Sequence, residues 1–147
     1  MSTPATDTVF IEHTFNISTG KVWNAWTEPL LISRWFGSDP DGTVLKAEMD
    51  VQPGGYFEVT FANSDGAEHT CSGIYKEVQP FTRLSFTWEW RNEPGVQSFV
   101  TVLLQPTGND TLMQFEHAQV GFASAHDYVE GWNSTFLKLE QVLAGMK

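Results

Sequence analysis

Cysteine is nearly absent from this chain: Cys71 stands alone among 147 residues. A single thiol cannot close an internal disulfide, so the core must hold the fold together and a reducing compartment is expected. Basic side chains are scarce too. Eight Lys and Arg stand against 18 Asp and Glu, a formal net charge of −10, with no basic cluster anywhere. Such a surface repels phosphate backbones and anionic bilayers, which argues against nucleic acid and acidic membranes as partners. No apolar run approaches the roughly 20 residues of a membrane-spanning helix. Met1–Asp7 is polar, contains Pro4 and holds no apolar stretch that could serve as a secretion signal, so a cytoplasmic location is expected.

Metal-binding patterns are missing as well. His13, His69, His117 and His126 show no zinc-type spacing, and there is no second cysteine. Asp39 and Asp41 hint at a calcium loop, but the sixth position from Asp39 is Val44, where the sharp turn of such a loop needs glycine. Asp50, at the twelfth, is shorter than the usual bidentate Glu. Neither a metal nor a cofactor is expected.

Aromatic residues are what the chain has in quantity. Six Trp and eleven Phe contribute to an aromatic share of 14% within 41% hydrophobic residues, enough to line a cavity as well as fill a core. The length suits one domain over residues 1–147, with 1–7 as a flexible tail.

The patterning divides the chain into three parts. Thr8–Phe15 is rich in β-branched and aromatic residues and predicts a first strand. Ser18 or Thr19 then caps a helix over about 21–26, and Pro29 opens a second short helix carrying Leu31 and Trp35 on one face. Gly37-Ser38-Asp39-Pro40-Asp41-Gly42 ends it in what reads as a mobile loop. From Val44 the period becomes two, predicting strands near 44–52, 55–62, 68–78, 83–91, 97–105 and 111–119. Short separators rich in Gly, Pro, Asn and Asp make neighbouring strands antiparallel, in a meander. One face collects Phe57, Val59, Phe61, Leu84, Phe86, Trp88, Trp90, Val100, Val102, Leu104, Met113, Phe115 and His117. Glu58, Thr60, Ser85, Thr87, Glu89, Thr101, Gln114 and Glu116 fall on the other, so one face is buried and the other wet. A final helix over about 123–145, with Val129, Trp132, Phe136, Leu139 and Leu143 at helical spacing, supplies the cover.

The order β-α-α-β(6)-α is similar to that of the helix-grip (START-like, Bet v-like or SRPBCC) proteins: an α+β fold with a seven-stranded antiparallel sheet around a long C-terminal helix. Particular residues extend the resemblance. Thr27-Glu28-Pro29 with Trp35-Phe36-Gly37, Asp50-Val51-Gln52-Pro53-Gly54-Gly55, Gly73 with Glu77 and Pro80, Leu84-Ser85-Phe86-Thr87-Trp88, and Gly131-Trp132 resemble signatures of one branch. That branch is the family of the activator of heat-shock-protein-90 ATPase, in its C-terminal domain, and the similarity covers residues 9–144. Ser18-Thr19 departs from its usual Ala-Pro, and Phe36 and Ser38 depart from its second Trp and its Pro. The resemblance implies a cavity for a hydrophobic ligand.

Candidate chemistry centres on His117. Alternation places it on the apolar face, across from Val100, which is expected in turn to face Trp88. There it could orient a polar head group or exchange protons. The plainer reading, preferred here, is a core histidine bonded to a backbone carbonyl or a water. His69 and Cys71 share a strand face but stand about 6.5–7 Å apart, beyond hydrogen-bond reach, so Cys71 reads as a small buried hydrophobe. Glu77 is expected at a strand end, bonded to a neighbouring loop rather than facing the cavity beside Tyr75. Trp35 and Trp90 are expected at the cavity mouth.

The leading expectation is a non-enzymatic binder whose cavity is lined by Trp35, Phe57, Phe86, Trp88, Val102, Phe115, His117 and Phe136. The partner is a small apolar or lipid-like molecule, with a homodimer allowed. One alternative is an enzyme of cyclase or hydratase type using His117 with Glu77 or Tyr75. Another is a chaperone-related interaction module.

Overall fold

A computed structural model describes residues 8–120 and 122–146, with only the backbone course at 122–126. The expected tail, 1–7, lies outside them. The elements run β1 (Val9–Phe15), α1 (Thr19–Thr27), α2 (Pro29–Trp35), β2 (Thr43–Met49), β3 (Tyr56–Ala62), β4 (Glu68–Gln79), β5 (Arg83–Trp90), β6 (Gln97–Thr107), β7 (Asp110–Ala118) and α3 (Phe122–Ala144). The expected element order is the observed one.

The seven strands form one antiparallel sheet in the order β1-β7-β6-β5-β4-β3-β2. Six make a meander, and β1 closes beside the last of them. The helices α1 and α2 therefore carry the chain from one sheet edge to the other. Pro29 stands in the first turn of α2, where its missing N–H costs nothing. The Trp35 indole N–H donates to the Ala25 carbonyl at 3.0 Å and locks α2 against α1.

The alternation expected for the apolar face holds along β3, β5, β6 and β7, whose inward residues are buried down to His117. Trp90 alone is half-buried, at the end of β5. Helix α3 covers this face. At 1.5 Å per residue its 23 residues span about 35 Å, and Trp132, Phe136, Leu139 and Leu143 are buried beneath it. This is the helix-grip fold. Among the described residues, no helix is long and apolar enough to cross a membrane.

The structure corrects four details. Val100 pairs with Phe86, not Trp88; the partner of Trp88 is Ser98. The reason is a register set by the β5–β6 turn, which is one strand pair longer than the sequence suggests. Val129 is 38% exposed, because the buried stripe of α3 runs through Trp132 and, four residues earlier, through Tyr128. Ser85 and Thr87 are buried on the supposedly wet face. There β4 bulges between Tyr75 and Glu77, and Thr87 Oγ1 accepts the displaced Ile74 N–H at 2.9 Å. Only glycine fits next to that irregularity: a Cβ on Gly73 would lie 1.9 Å from the Thr87 carbonyl oxygen.

The fourth correction concerns the 37–42 loop, which is tethered on two sides. Asp39 accepts from the Ser64 backbone N–H at 2.8 Å and hydroxyl at 2.9 Å, joining it to the β3–β4 turn. From α3, Ser134 donates to the Ser38 carbonyl at 2.6 Å and Lys138 to the Asp39 carbonyl at 2.9 Å. The Asp39 carboxyl is thus occupied as a structural acceptor, and the Ser64 N–H bond is the main reason its pKa is lowered.

Candidate ligand pocket

Tethering that loop leaves a space between it, β5 and the N-terminal half of α3. The pocket has a volume of about 300 Å³, at the lower end of the range for small-molecule sites. Six aromatic side chains wall it: Phe36, Phe61, Trp88, Trp90, Tyr128 and Trp132. Gly37, Ser38, Gly131 and Thr135 complete the wall, and Glu93 and Asp127 stand at the exposed rim. Each ring is placed by its element. Trp88 and Trp90 are inward positions of β5, Tyr128 and Trp132 lie one turn apart on α3, and Phe36 caps α2.

The rings meet mostly edge to face, the arrangement that aromatic quadrupoles prefer. Trp88 lies 5.3 Å from Trp90 at 88° and 5.4 Å from Trp132 at 61°. Phe36 lies 5.9 Å from Trp88 and 6.1 Å from Trp132. Behind Phe36 and Trp88 is a second, inner cavity of about 20 Å³, room for one water-sized group, bordered also by Trp26, Phe57, Tyr75 and Phe86. Phe36 and Trp88 belong to both walls and so partition the interior.

Polar atoms in the wall are few. The Trp90 indole N–H donates to the Tyr128 hydroxyl at 2.7 Å. Burial raises the Tyr128 pKa, against the opposing pull of the Trp90 and Trp88 indoles, so the phenol keeps its proton.

His117 stands one layer behind this wall. It is fully buried, with Trp132 Nε1 donating to its Nδ1 at 3.1 Å and Ser98 Oγ at 2.7 Å from its Nε2. The indole can only donate, so Nδ1 must be the bare nitrogen and Nε2 carries the hydrogen. Burial drives the pKa down to about 3, so the ring is neutral at physiological pH. Both nitrogens are spent on holding Trp132 and Ser98. The expected core histidine is thus found, bonded to side chains rather than to a carbonyl or water.

The other candidates are dispersed. Trp88 borders the pocket, and Phe57 and Phe86 border the inner cavity. Trp35, Val102, His117 and Phe136 border neither, and Phe115 packs between Trp132 and Phe136 at 4.5 and 5.0 Å. Trp35, expected at the mouth, is 1% exposed and bonded within the helical pair, while Trp90 does line the mouth. Glu77 binds Arg83 at 2.7 Å and Ser85 at 3.1 Å and lies far from acting with His117; Arg83 is the main cause of its lowered pKa. Cys71 is buried and its thiol pKa is pushed up by desolvation, so it is an inert core residue. No group of metal-binding side chains occurs among the described residues. Sequence reading missed Phe36, Phe61, Tyr128 and Trp132 as wall residues, although it placed Phe61 and Trp132 on buried faces. Phe36 was visible as a departure beside Gly37, and Tyr128 through its spacing to Trp132.

An α+β helix-grip domain with an aromatic pocket beside its long helix is the class defined by this geometry. The chain belongs to the family described as activator of Hsp90 ATPase homolog 1-like protein, whose profile matches residues 16–144. Solved structures with the same fold include a protein from Nitrosomonas europaea, 24% identical over 98% of both chains with a TM-score of 0.84. An AHSA1-like protein from Aeromonas hydrophila is 24% identical over 95% of both chains, with a TM-score of 0.82. A protein from Mesorhizobium loti is 26% identical over 95% of this chain and 98% of its own, with a TM-score of 0.75. No curated protein matches the chain.

Proposed function

We propose that the protein binds a small, predominantly apolar molecule in the pocket between β5, the 37–42 loop and the N-terminal half of α3. The observation that carries this reading is the six-ring wall around about 300 Å³ of space. Aromatic surface of this kind, with few polar atoms, gains by exchanging water for a flat apolar guest. The site lies at one end of the helix–sheet interface, so the residues expected deeper in the sheet support the wall rather than touch the ligand. The catalytic alternative has less support, because His117 is neutral, hydrogen-bonded on both nitrogens and screened by Trp132.

The test uses the neutral fluorescent probe N-phenyl-1-naphthylamine. Gly131 faces the loop, where an added Cβ would meet Ser38 Cβ at 3.6 Å, so the backbone tolerates a side chain there. The wild type should bind the probe saturably with one site, and Gly131→Phe, which fills the pocket, should weaken binding at least about tenfold while circular dichroism stays unchanged. Equal affinity in a folded variant would overturn the assignment.

A further inference from the structure

Charge is distributed one-sidedly around the pocket. Among the described residues its charged lining consists of Glu93, just after β5, and Asp127, in the early turns of α3, with no Lys or Arg. Both acids are exposed, and neither carboxylate has a hydrogen-bond or ion-pair partner among those residues. Other carboxylates are spent on the chain itself: Glu58 binds Lys46 and Arg91, and Asp39 binds Ser64. The basic side chains of the flanking segments are turned elsewhere. Arg91 reaches Glu58 at 3.1 Å, and Lys138 reaches the Asp39 carbonyl at 2.9 Å. With a chain charge of −10, an anion would enter against repulsion and find no counter-ion.

The wall has the same sign as the rim. Aromatic faces carry the negative part of the ring quadrupole and ring edges the positive part, strongest at an indole N–H. Those N–H groups are withdrawn from the pocket. Trp90 Nε1 donates to the Tyr128 hydroxyl at 2.7 Å, and Trp132 Nε1 donates to His117 at 3.1 Å. The Trp88 N–H has less than 1 Å² exposed, so it is closed to a guest as well. Even the Thr135 hydroxyl is spent, donating to the Gly131 carbonyl at 2.8 Å. Of the six rings, Trp90 and Tyr128 are half-buried and the other four buried, so these two offer the most open surface.

We infer that the pocket selects small organic cations, with an apolar body inside and a quaternary or protonated nitrogen held among Trp90, Tyr128 and the Glu93 and Asp127 carboxylates. This rests on the pocket assignment above and adds the charge of the guest. The apolar body gains from leaving water, as any neutral molecule of its size would. The nitrogen adds two attractions, to the ring faces and to the rim carboxylates, and both strengthen as the guest displaces water. A neutral guest forgoes both, and an anion meets both as repulsion.

Three probes of matched size decide the matter: 2-naphthyltrimethylammonium, its neutral isostere 2-tert-butylnaphthalene, and 2-naphthoate. Affinities are read by NMR titration, following the Trp90 and Trp132 indole N–H resonances. The ammonium should bind about tenfold tighter than the isostere, the worth of a cation on aromatic faces in a partly dry site. The carboxylate should bind weakest. Raising salt from about 0.01 to about 1 M shortens the screening length from roughly 30 to 3 Å, and should shrink the preference without weakening the neutral probe. Glu93→Gln combined with Asp127→Asn alters two exposed side chains and should leave the fold intact. It should cut the preference roughly twofold to fivefold, with the neutral probe's affinity unchanged. Tyr128→Leu removes a ring face and should lower the preference while the neutral probe still binds. An isostere or carboxylate that binds as tightly as the ammonium would overturn the charge selection but leave the pocket standing. A preference that survives the double substitution intact would overturn it too, since it would owe nothing to the rim. Binding by none of the three would overturn the pocket as well.

Discussion

The two halves of α3 cover the same sheet differently. Toward its C-terminus, Phe136, Leu139 and Leu143 are buried at 1%, 0% and 2% exposure, and Phe136 contacts Phe115 and Trp26 edge to face. Beyond them Lys21 of α1 donates to the Met146 carbonyl at 2.7 Å, and the helix end is closed. Toward its N-terminus, Trp132 packs edge to face on Trp88 and Phe36 at 5.4 and 6.1 Å, and Tyr128 joins them as wall of an open pocket. One helix thus serves as a core element in one half and a pocket wall in the other. Stability and binding should therefore separate along it.

The largest effect expected from that separation is on stability. Leu139→Ala removes a fully buried side chain from the sealed half and should cost about 2–5 kcal/mol in urea unfolding, with probe affinity in the folded protein unchanged. Loss of affinity in the still-folded variant would mean the two halves are coupled.

A smaller effect should appear on acidification. The folded-state pKa of His117, about 3, lies below its ordinary 6.5, so between those values the unfolded chain binds a proton that the folded chain refuses. Its contribution is fully present above pH 6.5 and is lost as pH falls toward 3. The slope is up to about 1.4 kcal/mol per pH unit, so going from pH 7 to 5 should cost roughly 2 kcal/mol. His117→Gln should flatten that part of the stability profile, and an unchanged slope would show that other groups carry it.

The smallest effect tests the pocket half from the opposite side. Gly131→Ala should raise stability by up to about 1 kcal/mol, since the added methyl restricts the unfolded chain and meets only Ser38. A thermal melt that moves down instead would show that the helix and loop are packed more tightly than a contact of 3.6 Å implies.

The sheet was legible because its inward positions obey a period of two over long strands with clear turn residues, as in β5 and β7. His117 could be placed inward on the same ground. Its partners could not, because Ser98 and Trp132 lie on other elements and their meeting depends on register and helix phase. The register error at Val100 shows how: the stretch between Trp90 and Gln97 contains several turn residues, and composition does not say which of them pair. The pocket escaped for a related reason. Its wall draws on the end of β5, the residue after α2 and the first turns of α3, where periodicity fades. Trp35 was assigned to the mouth from its nearness to a loop, yet its N–H is spent on Ala25.

The pairing of β1 with β7 has a consequence in time. Val9 sits opposite His117, 108 positions later in the chain (117 minus 9). At a synthesis rate of about 5–20 residues per second, the first strand waits roughly 5–20 seconds before its partner exists. Contacts so distant in sequence close late in folding, since chain entropy must be given up before they form. The earliest strand to be made is thus among the last to be paired, and the nascent chain has to carry it exposed, with Val9 and Phe15 unprotected, until β7 arrives.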